Sequence, residues 1–352
     1  MTSFGIGLLG CGRISENHLN GYRHGQGLDG LGEIVALCDA NETLLEQQSG
    51  KHQVATRYTR LEDLLADDRV QVVTVLTPPD VRTSVVVPLL EAGKHVLVEK
   101  PFAHTLEEAT EMVAAAEANH RLLAVNQNYR WRADTLKLKA LVESDAIGTV
   151  VGMHQLHAMW RDEGPGWRRT TEYLALAVMA VHWLDRFRWL AGDEGASLYA
   201  ASRSTGLLQS KGEDLAAVTV TFRNGAIGHM TEDWCSASRH KADTFLVDGT
   251  KGSLVAEGKV VTRYGREPGD EQAHDASGDF AASFAHSMHM LLKALASGEE
   301  PCISGRDNLK TMALLDGAYR SAATGEVVHL ETPANTAQPA SGRSVELAGA
   351  RR

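Results

Sequence analysis

The sequence predicts an α/β protein in two parts. A doubly wound parallel sheet forms the N-terminal half, and a second α/β domain on an antiparallel sheet follows. Three observations carry that expectation. Strand-like apolar runs alternate with helical stretches from Phe4 to Asn128, as in chains of strand–helix–strand units. A glycine-rich turn, Gly10-Cys11-Gly12, stands where the first strand should meet the first helix. From Thr149 onward the pattern changes to hairpin-linked strands, with Asn224-Gly225 as the clearest turn signal. At 352 residues the chain is too long for one ordinary core, so two domains are expected, residues 1–128 and 129–331. Residues 332–352, rich in Ala, Ser, Thr, Pro and Gly, are expected to be a loose tail.

In the first half, Phe4 to Leu9 reads as a strand and a helix starts near Ser15. Gly10-Cys11-Gly12-Arg13-Ile14-Ser15 is a G-x-G-x-x-S variant of the dinucleotide fingerprint. Gly10 permits the tight turn, Gly12 lets the backbone approach a pyrophosphate, and the small Ser15 lets helix and strand pack closely. The helix N-terminus offers free N–H groups to phosphates. The next strand, Glu33 to Asp39, ends in a carboxylate placed for a ribose 2′-OH. Ala40 and Asn41 follow it with no Arg for a 2′-phosphate, which favours NAD over NADP. Asp39 could equally cap the next helix. Leu61 to Leu65 reads as helical and Val70 to Leu76 as a strand. Thr77-Pro78-Pro79-Asp80 then leads into a helix ending at Glu91. A helix from Thr105 to Asn119 and a strand from Leu122 to Asn128 complete this half.

The run Gly93-Lys94-His95-Val96-Leu97-Val98-Glu99-Lys100-Pro101 reads as a buried parallel strand. It leaves Glu99 and Lys100 at a carboxyl end, where open α/β sheets bind ligands. A partly desolvated Lys100 could carry a proton; a solvated lysine paired with Glu99 is the plainer alternative.

In the second half a connecting helix spans Asp134 to Glu143. Strands are expected at Thr149–Leu156, Leu215–Phe222, Ala226–Trp234, Phe245–Val247, Ser253–Ala256 and Lys259–Tyr264. An apolar helix, Tyr173 to Leu190, carries His182 and Asp185 on one face. Helices at Ala281–Leu295 and Arg306–Ala323 should close this domain, with Gly325 as a stop.

Composition narrows the function classes. The formal net charge of −10 argues against nucleic acid or an anionic membrane surface as partner. Cys11, Cys38, Cys235 and Cys302 are scattered, so neither a disulfide framework nor a zinc knuckle is indicated. His154 and His157 would face opposite sides of a strand. His286 and His289 could share a helix face but lack convergent acids, so no metal is expected. The N-terminus has no signal-like core and no apolar run reaches 18 residues, so a cytoplasmic protein is expected.

Taken in order, Gly10-Cys11-Gly12-Arg13-Ile14, Ala36-Leu37-Cys38-Asp39, Glu99-Lys100-Pro101, Asn128-Tyr129-Arg130, Trp167-Arg168 and His182-Trp183-Leu184-Asp185 resemble the Gfo/Idh/MocA oxidoreductase family, as do Phe222-Arg223-Asn224-Gly225-Ala226 and Asp316 to Gly325. The resemblance covers residue 4 to about 330. It implies an N-terminal Rossmann domain and a C-terminal α/β domain with a large, mainly antiparallel open sheet, often the oligomer interface. A homodimer or homotetramer and a small polyhydroxylated substrate follow. So does hydride transfer between a sugar or polyol and a nicotinamide, with NAD as cofactor.

Residue by residue, the resemblance implies cofactor contacts from Gly10, Gly12, Arg13, Ile14, Asp39, Thr77, Pro78, Glu99, Lys100, Trp167 and Arg168. Lys100, Arg130 and His182 would meet substrate. His182 would be the general base, with Lys100 polarising the same oxygen, and the Lys100–Pro101 bond would be cis. Two positions depart from the family pattern. Val178 stands where a catalytic Asp is common, and Arg82 stands where a His is common. Asp185 or Glu172 could substitute for the missing acid, with Asp185 the first candidate, or Lys100 and His182 could suffice without one. A redox-neutral sugar hydrolase or epimerase that uses NAD transiently, or a non-catalytic sugar sensor, is the alternative.

Overall fold

The computed structural model describes residues 3–23, 28–162, 166–238 and 241–331. The tail expected at 332–352 lies outside them. Six strands, β1 (Phe4–Leu9), β2 (Gly32–Cys38), β3 (Arg57–Tyr58), β4 (Val72–Val75), β5 (His95–Val98) and β6 (Leu123–Val125), form one sheet in the order β3-β2-β1-β4-β5-β6. Every pairing in it is parallel. The linking helices are α1 (Ser15–Arg23), α2 (Glu42–His52), α3 (Leu61–Leu65), α4 (Arg82–Glu91) and α5 (Leu106–Ala118). Strand order reverses between β1 and β4, which is where such sheets open a ligand crevice. A capping box of Thr105 and Glu108 starts α5.

The second half adds α6 (Ala133–Glu143), β7 (Val150–Ala158), α7 (Trp167–Thr170), α8 (Val181–Ala191), β8 (Gly195–Arg203), β9 (Leu215–Phe222) and β10 (Ile227–Asp233). It continues with β11 (Ala242–Gly249), β12 (Ser253–Glu257), β13 (Val260–Tyr264), β14 (Glu271–Asp275), α9 (Phe280–Ser297), α10 (Gly305–Thr324) and β15 (Val328–His329). Its nine strands run β14-β13-β12-β11-β7-β10-β9-β8-β15. Only the β7–β10 pair is parallel. One face is buried, with Met153, Val218, Val220, Met230, Phe245 and Val247 pointing into the core. Gly228 lies so close under Phe187 of α8 that a Cβ would approach its ring to 2.8 Å.

One helix departs from expectation. Instead of closing the second domain, α9 covers a face of the parallel sheet. Its Met288, Leu291 and Leu292 share a cluster with Ile6, Leu8, Leu37 and Leu97. At its crossing with α1, Gly21 comes so near Ala281 that a Cβ would meet the carbonyl oxygen at 2.4 Å. The segment before α10 also joins the first sheet, Val125 N donating to Ile303 O at 2.8 Å. Among the described residues no helix is long and apolar enough to cross a membrane.

The long apolar helix is also broken. Leu176–Ala180 forms a π-helical turn before α8 begins at Val181. Buried Glu213 caps the entry to this segment, accepting from Leu174 N at 3.1 Å and Leu176 N at 2.8 Å. Single π turns inside helices recur at functional sites.

Candidate active site

The turn after β1 has the shape the fingerprint requires. Gly10 has φ +106°, and a Cβ there would press on Leu76 at 3.2 Å. A Cβ on Gly12 would have nothing within 4 Å, so the loop leaves open space over the start of α1. Ser15 donates its hydroxyl to Gly12 O at 2.7 Å. The Asp39 carboxylate at the end of β2 accepts from Cys11 N at 2.6 Å and Asn41 N at 2.7 Å, tying the two strand ends together. It is not the cap of α2; Asn41 is, accepting from Leu44 N at 3.1 Å.

Among the described residues, buried polar atoms without a hydrogen-bond partner occur past the ends of β4 and β6, on either side of β5. They are Thr77 Oγ1 after β4, and Asn126 Oδ1 with both amide atoms of Gln127 after β6. Such groups are rare unless a ligand or water completes them. Together with the open space at Gly12, they fit a dinucleotide lying across the strand ends. Gln127 was not anticipated from the sequence; nothing distinguishes it there from a strand-end amide.

At the end of β5, Glu99 turns inward. Its carboxylate accepts from His18 Nε2 at 2.7 Å and Asn126 Nδ2 at 2.6 Å, deep beneath the strand ends. Burial pushes the Glu99 carboxyl up, yet His18, Lys100 and Asn126 hold it below the usual range. Its side chain therefore supports the site from below, beneath the Lys100 amine. The Lys100–Pro101 bond is cis. Arg82, fully buried in α4, donates to the carbonyls of Thr77 and Glu99 at 2.6 Å each and to that of Pro101. The guanidinium thus clamps the loops after β4 and β5 on either side of Lys100.

Lys100 Nζ donates to Val178 O at 2.8 Å, within the π turn. Burial lowers the Lys100 amine to about 7; Glu99 opposes that shift, and Arg168, Arg161 and Arg82 reinforce it. His182 follows four residues after Val178. It is 2% exposed, stacks on Tyr129 with ring centroids 3.9 Å apart, and has no partner for Nδ1 among the described residues. Burial, then the charges of Lys100, Arg132 and Arg161, pushes the His182 imidazole well below its ordinary value. The neutral ring is therefore the form present at neutral pH.

Asp185 is not at this centre. Both its oxygens bind Arg130 at 2.7 Å, and Oδ1 also accepts from Thr311 at 2.8 Å. Arg130 is equally committed, to Asp185, to Asp307 at 2.8 Å and to Cys302 O at 2.8 Å. Both oxygens of the carboxylate and four of the five N–H donors of the guanidinium are spent within this network. Together with Arg188 they lock α8 to α10. Glu172 is exposed. The Arg168 guanidinium lies 5.5 Å from the Trp167 ring centroid, and its charge reaches Lys100. Arg13 is exposed and Ile14 half-buried at the start of α1.

The sheet supplies a second histidine that the sequence reading set aside. His157 on β7 is buried, its Nδ1 2.6 Å from Glu232 Oε1. Glu232, 0% exposed, also accepts from Trp183 Nε1 at 2.8 Å and Trp234 Nε1 at 2.6 Å. An acceptor so placed orients the His157 ring, which donates through Nδ1. The signal was the strand alternation itself: once residues 154 and 157 face opposite sides, one of them must lie on the buried face of the sheet. Among the described residues no group of three or more His, Cys, Asp or Glu could hold a metal ion.

Known proteins resemble this chain in sequence and fold. The oxidoreductase family with an NAD-binding Rossmann fold matches residues 4–127, and the GFO/IDH/MocA C-terminal domain matches residues 135–255. A D-apiose dehydrogenase of Paraburkholderia graminis is 30% identical, with 92% of this chain and 89% of that protein covered. A 1,5-anhydro-D-fructose reductase of Ensifer adhaerens is 26% identical, with 93% of this chain and 98% of that protein covered. The crystal structure of an oxidoreductase from Agrobacterium radiobacter in complex with NAD+, L-tartaric acid and magnesium superposes with a TM-score of 0.86. It is 27% identical, with 93% of this chain and 98% of that one covered. With its fingerprint turn, its Glu99-Lys100-Pro101 strand end and both domains matched, this chain belongs to the Gfo/Idh/MocA oxidoreductase family.

Proposed function

We propose that the chain is an NAD-dependent dehydrogenase or reductase acting on a CH–OH group of a sugar, polyol or sugar-derived substrate, with Lys100 as its proton carrier. The observation that carries the role of Lys100 is an amine lowered to about 7 at a parallel strand end, beside a neutral His182. NAD, when bound, supplies the hydride acceptor at its nicotinamide ring. In the oxidation direction neutral Lys100 takes the hydroxyl proton and becomes an ammonium ion, which donates to Val178 O. His182, held flat by Tyr129, hydrogen-bonds the same substrate oxygen and keeps it in line. Arg82 fixes the Lys100 loop through three carbonyls, so the amine meets substrate without reorganisation. This assignment exchanges the roles expected from the resemblance, because burial leaves His182 too weak a base near pH 7.

Asp39, with Ala40 and Asn41 beside it, supports NAD over NADP. The open face of the nine-stranded sheet supports a homo-oligomer. Leu156, Tyr199 and Ile227 stand 45–47% exposed on three adjacent or near-adjacent strands. Apolar side chains grouped on an exposed face mark association surfaces. The test is to load the protein with NAD and follow the reduced-nicotinamide absorbance across a panel of sugars and polyols. Reduction in step with product supports the dehydrogenase. Product without net reduction moves the assignment to a redox-neutral enzyme, and binding without product to a sensor.

A further inference from the structure

A cavity of about 350 Å³ opens on the inner face of the nine-stranded sheet, between β11–β12 and the start of α6. Arg132, Asp134, Arg186, Asp243, Phe245 and Ala256 contribute to its lining. The strand register places it on the face of the sheet that carries His157. Asp243 lies directly opposite His157, which pairs on its other side with Glu232. Phe245 sits opposite both Gln155 and Ala256. Above the sheet, the Tyr129 ring that stacks on His182 also lies 4.7 Å from the Arg132 guanidinium. One aromatic side chain therefore contacts both the reacting centre and the cavity wall.

The lining is polar and balanced in sign. Arg132 and Arg186 share the single carboxylate of Asp134, at 3.0 Å each. Asp243 accepts from Gln155 Nε2 at 3.2 Å and faces Lys241 at 3.5 Å. Arg186 is 1% exposed, its guanidinium 4.1 Å from the Phe245 ring centroid, and its Nε has no partner among the described residues. A buried N–H in that position calls for an oxygen acceptor. Phosphate or another strong anion would have to lie against Asp134 and Asp243 as well. A sugar ring suits the set better, since each hydroxyl both donates and accepts. The volume falls within the range of small-molecule sites.

We propose that this cavity is a second sugar subsite, so that the substrate is a two-ring glycoside whose oxidised ring lies at Lys100 and whose second ring fills the space beside Arg186 and Asp243. The proposal rests on the oxidoreductase reading and deepens it.

The test compares kcat/KM of the NAD-loaded enzyme for glucose against cellobiose and maltose, and for xylose against xylobiose. At least one two-ring sugar should exceed its single-ring counterpart by tenfold or more. Ala256→Leu, which fills the cavity from β12, should collapse that ratio at least tenfold, and so should the near-isosteric Asp243→Asn. Single-ring sugars performing as well as every two-ring counterpart would overturn the proposal, as would a ratio that neither variant changes. Calorimetry of the same sugars with the NADH-bound enzyme separates the two readings. If no sugar is oxidised, the dehydrogenase falls. Two-ring binding that Ala256→Leu weakens would still uphold the subsite, and no two-ring binding would sink it.

Discussion

Lys100 Nζ donates to the backbone carbonyl of Val178 at 2.8 Å, the residue whose side chain stands in place of a carboxylate common in the family. The π turn brings the carbonyl, rather than a charged group, to the amine. A neutral acceptor holds the ammonium far less firmly than a carboxylate would, and the Lys100 amine is lowered to about 7.

Val178→Asp should therefore raise the pKa of Lys100, by roughly 1–3 units for an opposite charge at contact distance. The pH–rate inflection should move up correspondingly. A pH titration of turnover checks this, and an inflection that stays in place would separate Lys100 from the pH dependence.

Asp39→Ala removes the carboxylate that holds Cys11 N and Asn41 N and that faces the expected ribose site. Losing hydrogen bonds to a charged group, worth roughly 1.5–3 kcal/mol each, should weaken NAD binding at least tenfold. Calorimetric titration of wild type and Asp39→Ala with NAD measures it. Ala40→Arg should in turn improve NADP binding, since it places a cation where a 2′-phosphate would lie.

The Arg130–Asp185 pair predicts the behaviour of a structural ion pair. Asp185→Ala leaves buried Arg130 and Arg188 short of an acceptor and should destabilise the fold by about 3–5 kcal/mol. Thermal melting reads that loss. Turnover per folded molecule should fall less than tenfold, whereas a catalytic carboxylate would lower it by at least about 10²-fold.

Ile227→Lys, on the same open sheet face as Leu156, should shift the protein toward a smaller species in light scattering while the melting profile of the monomer is retained. An unchanged oligomer would place the association surface elsewhere.

Most of the parallel half was legible because its strands are short apolar runs, and the chemistry sits at their ends in fixed order. Gly10, Gly12, Asp39 and Lys100 each stand where that reading put them. β8 was missed because Gly195-Ala-Ser-Leu-Tyr-Ala-Ala is poor in strand formers, and β14 because Glu271–Asp275 is a polar edge. α2 was expected after Asp39 but not given bounds, because only Leu45, Ser49 and His52 are buried along it. The roles of Asp185, Arg130 and Glu99 depend on partners 55 or more residues away in sequence for the first two, and 81 for the third, through His18. No local pattern carries such partnerships. The same holds for Glu232, whose three donors come from β7, α8 and Trp234.

The most direct test of Lys100 as proton carrier is the pH dependence of the oxidation rate in wild type, Lys100→Met and His182→Asn, each loaded with NAD. Only the neutral amine accepts a proton, so wild-type oxidation should rise through pH about 7 and then level, while the reverse reduction falls over the same range. His182→Asn should keep that inflection at a lower rate, and Lys100→Met should lose it together with about 10²–10⁴-fold of the rate. An inflection that survives in Lys100→Met and disappears in His182→Asn would contradict the account and return the base to His182.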